Sequence, residues 1–362
     1  MHFGIFMEFG FRDGGSEAEA FREGFELADA AEACGVDSVW LSEFHFSPDR
    51  SVLSSPIVVA SALAARTKRL RIGLAVYVLP LNNPLRIAEE AATVDQLSGG
   101  RLDFGIGRSG FVRSYNSYNI DYAESQGRFE EGLKILRMAW SGEKFFIAGK
   151  FYQVTDALVV PQPLQKPHPP MRMAASSAGT FKTVAEQGLP LFVGLRGDGL
   201  GTLVDNINVY RETWRSAGHA GDGSVYLRVP IYAADTEAAA FEEPRANITY
   251  YFERQTRLVV AGSPKGGSAV RANTAATLSA LSYDDILQDR VAFGTAAQLI
   301  ERMTEWRAVL GIDSITAELN AGGMLTEAQV KTAFISSPGM SCPRSNKTGP
   351  LSPAFQDSNL SP

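Results

Sequence analysis

Apolar runs and amphipathic segments alternate from the first residue of this chain. Residues 2–9 are a nearly unbroken apolar run and predict a β-strand. Ser16 then stands as an N-cap with Glu19 three positions on, the pattern of a capping box. Apolar positions at Phe21, Phe25, Leu27, Ala28 and Ala31 predict a helix that closes at Cys34, where Gly35 stops it. Residues 38–41 read as a second strand, 56–66 as a helix of small and branched apolar residues, and 70–78 as a third strand. The third is apolar almost throughout, as expected of a parallel strand buried on both faces. Pro84 opens a helix to 97, 102–106 is a fourth strand, and 123–139 is a helix whose Glu and Arg residues fall mostly opposite Phe129, Leu133, Ile135 and Leu136. The run 111–119 between them reads as loop.

The alternation breaks at 142–170, where Phe145-Phe-Ile-Ala-Gly-Lys-Phe-Tyr-Gln-Val predicts a hairpin and a proline-rich connector follows. It resumes with a strand at 171–175, a helix to 187, a strand at 190–193, a helix at 202–217 and a strand at 225–233. Residues 235–288 form a long insertion with helical and irregular parts, and Ala261-Gly-Ser-Pro-Lys-Gly-Gly-Ser268 within it predicts a mobile loop. Phe293-Gly-Thr opens a helix to 310, and 314–319 is a last strand. About eight strands alternating with helices favour an α/β fold of the (β/α)8 TIM-barrel type, with an insertion after the seventh strand. Residues 1–335 are expected to be one domain. Residues 336–362 are rich in Ser, Pro and Asn and are expected to form an irregular or disordered tail.

Composition narrows the function. The chain has 362 residues, 45% hydrophobic and 20% charged, an ordinary globular balance. A formal charge of −6 argues against a nucleic-acid-binding surface. No apolar run reaches the length of a membrane span, and the N-terminus begins directly as a strand without a basic leader. The two cysteines, Cys34 and Cys342, are too few for a disulfide framework or a zinc site, and Cys34 reads as a small buried apolar residue. A cytoplasmic location is expected.

Two loops carry the candidate chemistry. Gly105-Ile-Gly-Arg-Ser-Gly110 follows the fourth strand and offers backbone N–H groups and the Arg108 guanidinium to an anion. It matches G-x-G-x-x-G only formally, because no helix signal follows it. Ala175-Ser-Ser-Ala-Gly-Thr180 lies where a later strand gives way to a helix, and Ser176, Ser177 and Thr180 there suit a phosphate or, more simply, an N-cap. Paired with Arg108, they predict one phosphate-bearing cofactor at the rim of the barrel. Glu43-Phe-His45 ends the second strand, where barrel side chains face the site. His45 is the one of four histidines so placed. It is either a proton-handling group or a structural histidine bonded to Glu43. Phe3, Phe6, Phe9, Phe44 and Phe46 suggest an apolar or aromatic pocket, or simply core. No metal-ligand spacing is present, and there is no G-x-S-x-G elbow.

Several stretches, in order, resemble the bacterial-luciferase-like flavin-dependent monooxygenases. They are Met1-His-Phe-Gly-Ile-Phe, Cys34-Gly-Val-Asp-Ser-Val-Trp-Leu-Ser-Glu-Phe-His-Phe, Val78-Leu-Pro-Leu-Asn-Asn-Pro-Leu-Arg, Asp95-Gln-Leu-Ser-Gly-Gly-Arg-Leu-Asp-Phe-Gly-Ile-Gly-Arg and Ala185-Glu-Gln-Gly-Leu-Pro, with Phe293-Gly-Thr and Gly311-Ile-Asp-Ser-Ile late in the chain. The resemblance implies a barrel that binds FMN as FMNH2, supplied by a separate flavin reductase, and that inserts one oxygen atom from O2 into an organic substrate through a flavin C4a-(hydro)peroxide. It implies Arg108, Ser177 and Thr180 at the phosphate, Ser176 with its backbone near the ring, a non-prolyl cis peptide at Ala75–Val76 under the ring, His45 with Glu43 at the reacting end, and a homodimer. The chain departs from true luciferases in having Phe44 where they have the first of two histidines, Gly107 for a reactive cysteine and Leu195 for a tryptophan. A deazaflavin (F420)-dependent oxidoreductase on the same barrel and a non-catalytic flavin-binding partner protein are the alternatives.

Overall fold

Eight parallel strands close on themselves around a tryptophan. The computed structural model describes residues 1–10, 14–195, 199–261 and 269–337. Its strands are β1 (His2–Met7), β2 (Ser38–Leu41), β3 (Arg71–Leu74), β4 (Tyr77–Val78), β5 (Leu102–Gly107), β6 (Phe145–Ala148), β7 (Gln153–Ala157), β8 (Met171–Ala174), β9 (Leu191–Gly194), β10 (Val225–Ala233), β11 (Ala292–Gly294) and β12 (Ser314–Glu318). The barrel order is β1-β2-β3-β5-β8-β9-β10-β12, and β12 pairs with β1 to close it. β4 extends β3 along β5, β11 adds to the outside of β10, and β6 with β7 is the predicted hairpin.

Side chains alternate along each strand, so one set faces the helices and the other the lumen. Ile5, Met7, Val39, Leu41, Ile72 and Leu74 join the large core under the helices. Trp40 points inward and packs on Phe192 and Tyr226, with ring centroids 5.1 and 6.0 Å away. The lumen makes room for it by glycine: a Cβ on Gly4 or Gly73 would lie 2.9 or 2.2 Å from the indole. The middle of the barrel is therefore filled, and its two ends are chemically separate.

The helices follow the sequence pattern closely. α1 (Glu17–Ala33) carries the Ser16/Glu19 capping box and ends at the buried Cys34, while Cys342 lies outside the described residues. α2 (Pro56–Arg66) and α3 (Pro84–Ser98) each begin with proline, and Gly99 closes α3 in the left-handed region. The run 111–119, expected to be loop, contains a short helix, α4 (Val112–Ser117). Tyr115 is buried on it, and its hydroxyl donates to the Arg108 carbonyl. α5 (Ser125–Ala139), α6 (Ala178–Glu186), α7 (Gly199–Ser216) and, beyond the insertion, α12 (Ala296–Leu310) are the remaining barrel helices foreseen. The insertion after β10 is helical: α8 (Glu237–Glu242), α9 (Arg245–Ala261), α10 (Ala269–Ala280) and α11 (Tyr283–Asp289). The loop expected to be mobile at 262–268 lies outside the described residues. α13 (Glu327–Ser336), started by a Thr326/Gln329 capping box, closes the ring beside α1 with Phe334 buried. The tail from 338 onward also lies outside the described residues.

Candidate active site

All eight residues singled out from the sequence follow or sit in four strands that are consecutive around the barrel: β2, β3, β5 and β8. Register places them side by side. Leu41 pairs with Leu74, so Glu43 lies across from the Ala75–Val76 turn of chain. Ile106 pairs with Met173, so Arg108 leaves the sheet beside Ala175 and Ser176.

Glu43 is buried and its carboxylate is fully used. One oxygen accepts from the Val78 amide at 2.9 Å, and the other meets His45 Nε2 at 2.8 Å. Burial pushes the Glu43 carboxyl above its ordinary range, against the opposing pull of these two bonds. The tautomer that donates from Nε2 leaves Nδ1 as an acceptor, and the Tyr118 hydroxyl lies 3.1 Å from it. Tyr118 is half exposed, and burial and the Glu43 charge hold its phenol above the usual value, so it stays protonated at neutral pH. Glu43, His45 and Tyr118 thus form a chain from a buried carboxyl to a solvent-facing hydroxyl. The other three histidines bond to Ser38, the Pro169 carbonyl and the Glu186 carbonyl.

The Ala75–Val76 peptide is cis. Gly73 pairs with Asp103 and Tyr77 with Ile106, so the β3–β4 side carries one residue more than β5 across this junction. The glycines of β5 have a packing reason here. A Cβ on Gly105 would stand 1.9 Å from the Leu74 carbonyl oxygen, and one on Gly107 would stand 2.5 Å from Val76 Cγ2. Gly105 and Gly107 therefore serve the close approach of β5 to residues 74–76 and are strand residues, not part of an anion loop. Only Arg108 to Gly110 form the loop, with Ser109 at φ +59°.

Arg108 is half buried. Its Nη1 donates to Ser125 Oγ at 2.9 Å and its guanidinium lies 5.4 Å from the Tyr122 ring centroid. Among the described residues no carboxylate pairs with it. Ser177 is the N-cap of α6 but makes no capping bond; its hydroxyl bonds to Thr180 Oγ1 at 2.8 Å instead. In the first turn of α6 the Thr180 amide donates to the Ser177 carbonyl at 2.8 Å, the amides before it have no intrahelical acceptor, and a Cβ on Gly179 would meet nothing within 4 Å. A guanidinium without a carboxylate, two hydroxyls, free helix amides and open space fit the phosphate of a flavin nucleotide.

Of the five phenylalanines expected around a pocket, Phe6 is in the lumen cluster with Trp40 and Phe192. Phe44 contacts Phe111, with ring centroids 5.7 Å apart, and Phe46 packs on Tyr118 and His45. Phe3 and Phe9 instead face the helices; Phe9 packs on Phe21 and Phe25. Leu195 is buried.

Sequence reasoning missed Tyr118, Ser125 and a buried ionic cluster of Glu8, Arg50, Arg228, Arg254 and Glu318. Tyr115 and Tyr118 are three apart, a helical spacing that could have flagged α4. Glu8, Arg228 and Glu318 are charges at lumen-facing positions of otherwise apolar strands, a signal visible once the alternation is followed to the strand ends.

This barrel gathers a guanidinium, hydroxyls and a histidine–carboxylate pair at one rim, an arrangement that suits an enzyme. The luciferase-like monooxygenase family model matches residues 1–314, and the chain belongs to that family. It is 25% identical over 321 residues, 85% of each chain, to the oxygenase component of a flavin-dependent trigonelline monooxygenase from Acinetobacter baylyi. It is 33% identical over 209 residues, 55% of this chain and 58% of the relative, to an F420-dependent glucose-6-phosphate dehydrogenase from Kineococcus radiotolerans. The oxygenating constituent of 3,6-diketocamphane monooxygenase from Pseudomonas putida, solved in complex with FMN, superposes with a TM-score of 0.77 at 20% identity, covering 95% of this chain and 99% of that one. At that identity the likeness shows the fold.

Proposed function

We propose that this protein is the oxygenase component of a two-component, FMN-dependent monooxygenase, transferring one oxygen atom from O2 to an apolar or aromatic substrate. The observation that carries this reading is the meeting of the unpaired Arg108 and the open α6 N-terminus beside the Glu43–His45 pair on four neighbouring strand ends. Arg108, Ser177 and Thr180 hold the phosphate. The backbone at Ala75, Val76 and Ser176 supports the ring. When bound and reduced, the flavin supplies the electrons that activate O2. His45, oriented by Glu43, holds or moves a proton at Nδ1, with the Tyr118 hydroxyl as its outlet toward solvent. Phe44, Phe46 and Phe111 keep water from the reacting end, which favours transfer over loss of hydrogen peroxide. We infer residues 1–335 to be one domain acting as a homodimer in the cytoplasm, with reduced flavin delivered by a separate reductase.

The second reading, F420 dependence, is favoured by the similarity to an F420-dependent dehydrogenase. Anaerobic titration with FMNH2 and, in parallel, with reduced F420 separates the two. Saturable FMNH2 binding, followed by substrate oxygenation on admitting O2, is expected. His45→Ala should retain that binding and lose about 10²–10⁴-fold in turnover. Binding of F420 alone would replace the FMN reading, and full turnover in His45→Ala would remove the role given to His45.

A further inference from the structure

Opposite the candidate flavin loops, the same rim of the barrel holds a buried cluster with, among the described residues, one more positive than negative charge. Glu8 follows β1, Arg228 is on β10, Glu318 ends β12, Arg50 lies in the segment after β2 and Arg254 is on α9. Arg50 grips the Glu8 carboxylate with Nε and Nη2 at 3.2 and 2.5 Å. Arg228 bridges Glu8 at 3.0 Å and Glu318 at 2.9 Å. Arg254 is the odd one. It comes no closer than 3.7 Å to Glu8, donates to the Ala321 carbonyl at 2.7 Å, and its Nε has no hydrogen-bond partner among the described residues. Three guanidiniums thus face two carboxylates, and none of the five side chains is more than 10% exposed. A buried guanidinium that shares its counter-ion with two others is costly to desolvate, and a further anion beside it would offset that cost.

The surplus guanidinium borders a cavity. About 120 Å³ of space lies against Arg50, Arg254 and Asn320, walled by Phe6, Phe9 and Phe334. Apolar cavities of about 150 Å³ accept benzene, so this somewhat smaller space suits at most one small ring, with its charged group at the guanidiniums. At the outer mouth Glu23, Glu26 and Glu327 stand with Arg22 and Lys331, so the positive surplus of the cluster lies at the inner end. The cluster also touches the aromatic residues beside the candidate active site. The Arg50 guanidinium sits 3.8 Å over the Phe44 ring, and Phe44 packs on Phe111, just past the Arg108 loop.

We propose that Arg254, with Arg50, receives the carboxylate of a small organic anion, and that the substrate is a monocarboxylate about the size of one aromatic ring. Its role as substrate rests on the flavin reading above; the anion site stands on its own geometry. The carboxylate completes the ion balance and the ring fills the apolar walls.

The test is calorimetric titration of the full chain, with and without FMN, using benzoate and its neutral isostere benzamide. Benzoate is expected to bind at least about tenfold more tightly than benzamide. Arg254→Gln should erase that preference and Arg254→Lys should restore part of it. Arg254→Gln should also melt no lower than the wild type, since its removal balances the cluster, whereas Arg228→Gln should melt lower. Equal affinity for the two probes, no benzoate binding at millimolar concentration, or an unchanged preference in a folded Arg254→Gln protein overturns the proposal. Benzoate binding without FMN binding leaves the anion site standing and sinks the flavin reading; FMN binding without benzoate binding does the reverse.

Discussion

The two ends of this barrel are built from the same materials and finished differently. At the N-terminal end Arg71 holds Asp103 at 2.7 and 3.0 Å, and Arg172 holds it at 2.8 Å and stacks over Tyr226. Gln165 joins Arg71 to Asp95. Two guanidiniums there face two carboxylates, and Arg71 is about one-third exposed, so the network is balanced and partly hydrated. Trp40 separates it from the other end. At the C-terminal end, among the described residues, three guanidiniums meet Glu8 and Glu318, Arg108 has no acid, and Ser177 makes no capping bond to α6. A barrel stabilises itself at the N-terminal face and works at the C-terminal face. The balanced network belongs to stability, and in the function proposed above the unbalanced groups are where ligands would bind.

Removing charge from each end separates these roles. Asp103→Asn leaves the buried Arg172 and the partly exposed Arg71 without their shared acid and should cost about 3 kcal/mol in urea unfolding. Arg254→Met at the opposite end should stay within about 1 kcal/mol of the wild type, because the lost bond to Ala321 is offset by removing an unmatched charge. Equal losses would erase the contrast between the ends.

Acid sharpens it further. Its three arginine neighbours hold the Glu8 carboxyl down to about 2, outweighing the opposing effect of burial. A carboxyl lowered from its ordinary 4.5 contributes stability that is fully present above pH 4.5 and is lost as pH falls toward 2. The loss amounts to about 3 kcal/mol. Acid titration of unfolding should show a steeper slope between pH 4.5 and 2 in the wild type than in Glu8→Gln, in which the other lowered carboxyls, such as Glu32 and Glu131, still titrate.

The smallest effect belongs to Tyr118. Tyr118→Phe removes the hydroxyl from His45 Nδ1 and should slow turnover by about fivefold, about 1 kcal/mol, while changing its pH profile. An unaltered profile would leave His45 without an outlet through Tyr118.

Most of the barrel was legible because its strands are buried on both faces and its helices are punctuated by Ser16, Pro56, Pro84 and Gly311. Local rules suffice for such elements. Glu43, His45 and Arg108 were legible because strand ends in this architecture face one place. Tyr118 was not, since α4 spans only six residues and the single Tyr115/Tyr118 spacing is its whole periodic signal. The Glu8–Arg228–Glu318 cluster was not, because its members come from β1, β10 and β12, and only barrel closure makes them neighbours. The role of Gly105 and Gly107 was misread for a similar reason: the atoms they avoid belong to residues 74–76, thirty positions away.

The most direct measurement is the affinity of FMNH2 under anaerobic conditions for three proteins: wild type, Arg108→Ala and Asp103→Asn. If the rim of β2, β3, β5 and β8 grips the flavin phosphate, Arg108→Ala weakens binding by about 10–100-fold, the worth of one charge-assisted contact. Asp103→Asn, for all its cost in stability, leaves the affinity of the folded protein unchanged. Unaltered affinity in a folded Arg108→Ala protein would contradict the assignment of this rim as the flavin site.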